Sequence, residues 1–161
     1  MNVHDQPIRE WRPPTDVPPG PAVGVIYAGF WIRVVAWVID AIALGVLASA
    51  FTPLFGAPGV FIDGSHVTVN AGANAMGALL GLVYFVGMWS WRGQTIGMMP
   101  FRLWVVRLED GERPDLMQAF LRYVGLIISF AVVLLGVIWV AFDSHKQGWH
   151  DKLASTLVVR R

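Results

Sequence analysis

Asp40 is the residue whose type and position most directly indicate chemistry. It is the only charged residue between Arg33 and Asp63, in an otherwise apolar stretch. If this stretch crosses a membrane as a helix from about Phe30, Asp40 lies roughly 15 Å deep at 1.5 Å per residue. A carboxylate at that depth costs about 2.5–3.5 kcal/mol on an insertion scale, so it requires a partner or water. Asp40 is therefore either a proton-carrying group or a hydrogen-bonded anchor between helices.

Arg33 and Arg122 are the candidate partners of this carboxylate. Arg33 lies on nearly the same helix face as Asp40, but about 10 Å away along the axis, so a direct ion pair within the helix is not expected. Its guanidinium can extend to the lipid headgroups instead, or bind Asp143 or Asp151 near the C-terminus. The sequence leaves these alternatives open.

The remaining polar clusters show no recognisable catalytic or metal site. His145, His150 and Asp151 are near one another, but no further well-placed metal ligands accompany them. The segment Gly93–Gly97, with sequence GQTIG, lacks the lysine of a phosphate-binding loop. No serine in or beside an apolar stretch has a His and acid pair nearby. We therefore predict a protein that is not an enzyme, with no cofactor and no metal.

The spacing of the charges predicts the elements that position these residues. Of the 161 residues, 14% are charged and 55% hydrophobic, whereas an average soluble domain has about 25% charged residues. A bilayer core requires roughly 20 apolar residues as helix. We predict an all-α integral membrane protein whose three apolar helical segments run from Phe30 to about Phe55, from Ala73 to Trp91, and from Phe120 to Phe142.

Composition also limits the partners. The net charge is +1 and the basic residues are scattered, so nucleic acid is not an expected partner, whereas the lipid bilayer is. The absence of cysteine excludes a disulfide scaffold. Residues 1–28 hold six of the ten prolines and are predicted to be a flexible tail before a membrane domain over 29–161. No apolar region begins before about residue 22, so this tail does not resemble a signal peptide.

Arginines predict the orientation of the chain. They flank the first span and recur in the segment 92–119, whereas the loop 56–72 has no Lys or Arg. The positive-inside rule then places the N-terminus and residues 92–119 in the cytoplasm, in a bacterial inner membrane. Three full crossings would leave the C-terminal tail outside, although that tail carries Lys146, Lys152, Arg160 and Arg161. Either the tail is outside, or the third segment turns back near Gly136 as a re-entrant loop.

Two short β-type runs favour the re-entrant alternative. Residues 101–111 alternate and end in a turn signal, and Thr156–Val159 is rich in β-branched residues. Such strands can pair only on one side of the membrane. We therefore predict a small β element at the cytoplasmic surface.

Three local patterns predict finer structure. Asp63-Gly64 between two alternating runs predicts a hairpin in the loop after the first span. Asp115, three residues before Gln118, predicts a capping box at the start of the third segment. Small residues four apart predict a contact between the first two helices, through Ala41, Gly45 and Ser49 on one and Ala73, Gly77 and Gly81 on the other.

The order of several motifs over about residues 27–160 resembles that of RDD-family membrane proteins. The segments that carry the resemblance are AGFWIR at 28–33, GQTIG at 93–97, AFLRY at 119–123 and WHDKLA at 149–154. The resemblance implies that Arg33 and Asp40 are the family's arginine and first aspartate, and that either Asp143 or Asp151 is the second. Met98 stands where members of the family often have a lysine.

The resemblance and the residues together leave two functional hypotheses. The first is a transport-related protein that exchanges an ion or proton, with Asp40 as the protonatable site and Arg33 tuning it. Because three helices rarely enclose a water-filled path, transport then requires a homo-oligomer or another membrane protein as partner. The alternative is a non-transporting membrane adaptor or assembly factor in which Arg33 and Asp40 only hold helices together.

Overall fold

The computed structural model describes residues 21–22, 24–132 and 135–161. Most of the predicted tail, residues 1–20, lies outside the described residues, whereas its last part already forms a strand. The elements are, in chain order, β1 (Ile26–Tyr27), α1 (Phe30–Ser49), α2 (Thr52–Phe55), β2 (Val60–Asp63), β3 (His66–Val69), α3 (Ala71–Arg92), β4 (Leu103–Arg107), α4 (Leu116–Ala131), α5 (Leu135–Ile138), α6 (Trp149–Leu153) and β5 (Thr156–Arg160).

Among the described residues, α1 and α3 are the two helices that are individually long and apolar enough to cross a membrane. They correspond to the first two predicted spans. Large apolar side chains of α1 face outward: Trp31 is 76% exposed and Val46 68%. The buried residues of α1 are Ala36 and Asp40, which lie one turn apart and so share a face. The candidate functional site lies on this face of α1.

Local signals set the ends of these helices. α1 is shorter than the predicted span to Phe55, because the chain breaks before Pro53 and continues as the short helix α2. α3 begins after Asn70, whose side-chain oxygen accepts a hydrogen bond from the Ala73 amide. It ends at Gly93, which adopts the left-handed φ of 70° that terminates many helices.

The third apolar segment is bent. α4 starts with the predicted capping box between Asp115 and Gln118, and its axis then turns by 113° into the stretch Leu135–Ala141. A Cβ at Gly136 would lie 2.3 Å from Ser129 Oγ, so α5 returns against α4 more closely than a side chain would allow. By length and composition this pair is either one broken third span or a re-entrant loop.

A three-stranded sheet joins distant parts of the chain. β5 lies between β1 and β4 and is antiparallel to both, with Val158 opposite Val105. The predicted pairing of two strands is therefore confirmed, whereas β1 has only two residues, too few for an alternating pattern. Since β1 precedes α1, β4 follows α3 and β5 is near the C-terminus, the sheet brings these three points to one end of the molecule. A re-entrant third segment requires β5 to lie on the same side of the membrane as β1 and β4, as it does in this sheet.

The loop between α1 and α3 forms the predicted hairpin, but the predicted contact of small residues is wrong. β2 and β3 pair around Gly64, which has a φ of 59°. No described atom lies within 4 Å of a Cβ built at Gly45 or Gly77, so neither glycine serves a close helix contact. Gly81 does pack closely, but against the Tyr123 hydroxyl of α4, at 3.0 Å from its built Cβ.

Candidate functional site

Asp40 is buried on α1, and neutral donors occupy both of its carboxylate oxygens. Its Oδ1 accepts hydrogen bonds from the Tyr84 hydroxyl at 2.5 Å and from the Gly97 amide at 2.7 Å. Its Oδ2 accepts one from the Thr95 hydroxyl at 2.5 Å. Tyr84 is on α3, and the other two donors lie in the loop that follows it. These three bonds satisfy the carboxylate without an ion pair.

Neither candidate arginine contacts Asp40. Arg33, two turns away along α1, forms no ion pair with Asp40, as expected, and its guanidinium binds Asp151, one of the two alternatives that the sequence left open. Arg122 on α4 also binds Asp151. The alternative that Arg122 pairs with Asp40 is therefore wrong, because hydroxyl and amide donors occupy the Asp40 carboxylate.

The segment Gly93–Gly97, hereafter the GQTIG loop, is held directly against α1. A Cβ at Gly97 would lie 2.0 Å from the Ala36 carbonyl oxygen and 2.9 Å from the Asp40 carboxyl carbon. Only glycine therefore lets the loop approach close enough for its amide to reach Asp40. The amide of Ile96 donates to the Tyr84 hydroxyl at 3.1 Å, which links the loop to α3 as well.

Asp151 is fully buried on α6 and binds two arginines. Its Oδ2 accepts hydrogen bonds from Arg33 Nη1 at 2.6 Å and from the Gly148 amide at 2.9 Å. Its Oδ1 accepts one from Arg122 Nη1. His150 Nε2 lies 3.6 Å from the same Oδ1. We call Arg33, Arg122, His150 and Asp151 the arginine cluster; it ties the C-terminal segment to α1 and α4.

The two arginines of the cluster differ in how their donors are used. Arg33 also donates from Nε to the Ala28 carbonyl at 3.0 Å and from Nη2 to the Lys146 carbonyl at 2.5 Å. Arg122 donates again from Nη1, to Thr156 Oγ1 at 2.8 Å, and its guanidinium carbon lies 4.9 Å from the centroid of the Trp89 ring. No described residue accepts a hydrogen bond from Arg122 Nε, although this atom is buried.

The cluster carries more positive than negative charge. Burial alone would raise the pKa of Asp151, but Arg122, His150 and Arg33, with the Gly148 amide, hold that pKa well below its usual range. The pKa of His150 is lowered to about 4, first by burial and then by the two arginines, against the opposing effect of Asp151. At neutral pH the cluster therefore contains two cations, one carboxylate and a neutral imidazole.

Asp143 lies apart from the arginine cluster. It accepts a hydrogen bond from Lys152 Nζ at 2.5 Å and from the amides of His145 and Gln147 in the turn before α6. Of the two candidates for the second aspartate, the structure thus brings Asp151 and not Asp143 to Arg33.

Both sites reach one cavity of about 280 Å³ between α1, α3, α4 and α5. Asp40, Arg33, Arg122 and His150 contribute to its wall. The rest of the lining is apolar, formed by Phe30, Val34, Trp37, Phe85, Trp89, Met98, Leu126, Phe130, Val137, Ile138 and Val140. Within the described part of the chain, no group of three or more His, Asp or Glu side chains is arranged to hold a metal ion.

This fold and these motifs define the class of protein. The chain belongs to the RDD family, whose pattern matches residues 27–155. It is 33% identical over 135 residues to an uncharacterized membrane protein, YteJ, of Bacillus subtilis (strain 168), which covers 83% of this chain and 80% of that protein. Together with the apolar helices, these matches identify a membrane protein.

Two further relatives agree with this assignment. YxaI of the same Bacillus strain is 30% identical over 149 residues, covering 82% of this chain and 96% of that protein. The protein RP437 of Rickettsia prowazekii (strain Madrid E) is 30% identical over 77 residues, and the match spans only 42% of its length. No solved structure matches the chain.

Sequence reasoning missed the residues that complete the two sites. No pattern in the sequence distinguishes Tyr84 or Thr95 from other residues of their type. Gly148 binds Asp151 through its backbone amide, and Thr156 binds Arg122 through its hydroxyl. The GQTIG loop did carry a signal, since two glycines and a threonine follow directly after a predicted span. Nothing in the spacing, however, indicates that its partner is Asp40, more than 50 residues earlier.

Proposed function

We propose that this protein is a non-transporting membrane adaptor or assembly factor whose buried arginines and aspartates are structural. One observation carries the proposal: fixed donors occupy both oxygens of Asp40 and both oxygens of Asp151. Asp40 fastens the GQTIG loop to α1, and Asp151 fastens α6 to α1 and α4. Because these two segments lead into β4 and β5, the two carboxylates hold the sheet against the helices.

In this proposal the sheet end of the molecule faces the cytoplasm of a bacterial cell and offers the docking surface. The distribution of arginines supports this orientation. The partner is another membrane protein or a second copy of this chain.

A transport measurement tests the structural role of Asp40. In an Asp40→Asn variant, Oδ1 still accepts from Tyr84 and Gly97, and the new amide group can donate to Thr95 Oγ1, so the loop stays attached. The residue can no longer take up or release a proton. We expect the variant to assemble in the membrane, and proteoliposomes of both proteins to show no proton-coupled cation flux above empty liposomes.

A second candidate function is proton-coupled ion exchange through Asp40. It is favoured by the fact that Asp40 lines the cavity and that no described Lys, Arg or His forms an ion pair with it. Protonation of Asp40 would therefore leave no unpaired cation behind. Flux by the wild-type protein that disappears in a stable, correctly assembled Asp40→Asn variant would establish this function and reject the first.

Cysteine labelling tests the proposed orientation, and the chain has no native cysteine. Arg161→Cys places the label beside the sheet, and Ser65→Cys places it in the exposed β2–β3 turn. We expect a membrane-impermeant maleimide to label Ser65→Cys in intact cells but Arg161→Cys only after permeabilisation. Labelling of both variants from outside would reject the cytoplasmic sheet and the re-entrant third segment.

A further inference from the structure

The cavity combines an apolar wall with a cationic end. Side chains such as Trp37, Leu126 and Phe130 form most of the wall, and Arg33 and Arg122 contribute the cations. Its volume of about 280 Å³ is just below the usual range of roughly 300–1,000 Å³ for ligand pockets. It is about nine times the liquid volume of one water molecule, enough for one short chain but not for a two-chain lipid.

Arg122 is the cation in this wall with an unused donor; Trp89 Nε1 and His150 Nδ1 are also buried without a described partner, but neither belongs to a charged group at neutral pH. The hydrogen bonds of Arg122 to described residues both leave from Nη1, and its Nε is buried without an acceptor. The Nε and Nη2 hydrogens of a guanidinium are parallel and match the two oxygens of a carboxylate or phosphate. Arg122 is only 2% exposed, and a buried donor without a partner is an exception that requires an explanation.

The charges of the arginine cluster favour the same kind of ligand. Within the arginine cluster, Asp151 compensates one of the two arginines and His150 is neutral at physiological pH, so the cluster itself has one excess positive charge. Asp40 is the carboxylate among the lining residues, and its oxygens are already occupied by the GQTIG loop and Tyr84, so it binds neither arginine. An anionic group from a ligand would pair with the edge of Arg122 that no described carboxylate occupies.

We propose that the cavity binds a small amphiphile, with its carboxylate or phosphate headgroup on the Nε–Nη2 edge of Arg122 and its apolar part among the aromatic and aliphatic side chains. A medium-chain fatty acid or a monoalkyl phosphate has this chemistry. The site does not depend on whether Asp40 is structural or carries a proton.

Direct binding to the full-length protein tests the proposal. The protein is placed in phosphatidylcholine nanodiscs at pH 8, and empty nanodiscs correct for partition of the probe into lipid. Radiolabelled decanoate is compared with decanol, which has the same chain but no charge. We expect decanoate to bind at least about tenfold more tightly and with saturation, because a charge-assisted pair of hydrogen bonds forms only with the acid.

Two variants one residue apart locate the bound probe. Val34 lines the cavity, whereas Val35 on the same helix is not among its lining residues and is 47% exposed. Val34→Phe fills part of the cavity and leaves the arginine cluster intact; we expect it to weaken decanoate binding about tenfold or more, with Val35→Phe unchanged. Arg122→Lys keeps the charge but removes the parallel donor edge, and we expect it to weaken decanoate more than decanol.

Three results would overturn the proposal. Equal binding of decanoate and decanol would mean that the cavity takes up apolar chains without using Arg122. Equal effects of Val34→Phe and Val35→Phe would place the probe elsewhere. Displacement of decanoate by inorganic phosphate as effectively as by decyl phosphate would show a simple anion site, with no role for the apolar wall.

Discussion

Asp40 and Asp151 are both buried carboxylates, and the protein stabilises them in different ways. Asp40 has three neutral donors, two hydroxyls and one amide, and no ion pair with a described residue. Asp151 has two guanidinium groups and one amide. Both carboxylates attach a segment that follows an apolar helical region, yet one has no described cation beside it and the other lies in a cluster with an excess of positive charge.

This difference determines what happens when either carboxylate loses its charge. Hydroxyl donors can rotate to accept a hydrogen bond, so the Asp40 site can reorganise around a neutral group. The guanidinium groups at Asp151 cannot lose their protons or accept hydrogen bonds. Removing the negative charge there leaves two cations buried together. The Asp151 site is therefore the more sensitive one.

The largest effect is expected for Asp151→Asn. Removal of one partner from a buried ion pair costs about 3–5 kcal/mol of the free energy of unfolding, because the remaining charge is left without compensation. The measurement is the midpoint of thermal unfolding in detergent. Asp143→Asn is the matched control, since its partner Lys152 is 47% exposed and such a pair contributes about 1 kcal/mol or less. Equal losses for both variants would contradict the special role of Asp151.

A pH dependence of stability should report the burial of His150 beside Asp151. The pKa of His150 is about 4 in the folded protein, below its usual 6.5, so the unfolded chain binds the proton more readily. Stability is therefore fully present above pH 6.5 and falls as pH decreases toward 4, by about 3 kcal/mol at most. Unfolding midpoints measured between pH 7 and 4.5 should decrease less in His150→Gln. The same decrease in the variant and the wild type would exclude His150 as its source.

The Asp40 site should be sensitive to close packing rather than to charge. Gly97→Ala places a methyl group against the Ala36 carbonyl, where overpacking costs about 1–3 kcal/mol. Gly77→Ala is the control, because its built Cβ meets no described atom and alanine is the better helix former. We expect the first variant alone to unfold at a lower temperature in detergent. A Gly97→Ala protein as stable as wild type would mean that the GQTIG loop is not held against α1.

The smallest loss of stability is expected for a substitution outside both sites, and it gives a reference value for the other losses. Asp115→Ala removes the capping box of α4 and should cost about 1 kcal/mol. The same unfolding measurement applies. A loss as large as that of Asp151→Asn would mean that the start of α4, and not the ion pairs, determines the stability of this end of the molecule.

Much of the fold was predictable because it depends on local patterns. Stretches with few or no charges indicated the positions of α1 and α3. The sequence around Gly64 indicated the β2–β3 hairpin, and Asp115 with Gln118 indicated the start of α4. The β4–β5 pair was also predictable, since both strands carry β-type residues. The two-residue strand β1 and the contact of Gly81 with α4 were not, because they depend on where the helices pack.

The charged members of the candidate site were predictable, and the pair of Arg33 with Asp151 was one of the alternatives that the sequence left open. Arg33, Asp40, Arg122 and Asp151 are all recognisable as charges in or near apolar segments. The charge argument required a partner or water for Asp40, and the structure supplies hydroxyl and amide donors that have no signature in sequence. The separation of Asp143 from Asp151 likewise depends on the turn before α6.

The most direct test compares Asp40→Asn and Asp151→Asn in one experiment. Thermal unfolding of both variants and of the wild-type protein is measured in the same detergent at pH 7. We expect Asp40→Asn to lose about 1–2 kcal/mol, since charged hydrogen bonds become neutral ones, and Asp151→Asn to lose clearly more. An equal loss in both variants, or a larger loss for Asp40→Asn, would contradict the account that neutral donors hold one carboxylate and buried ion pairs hold the other.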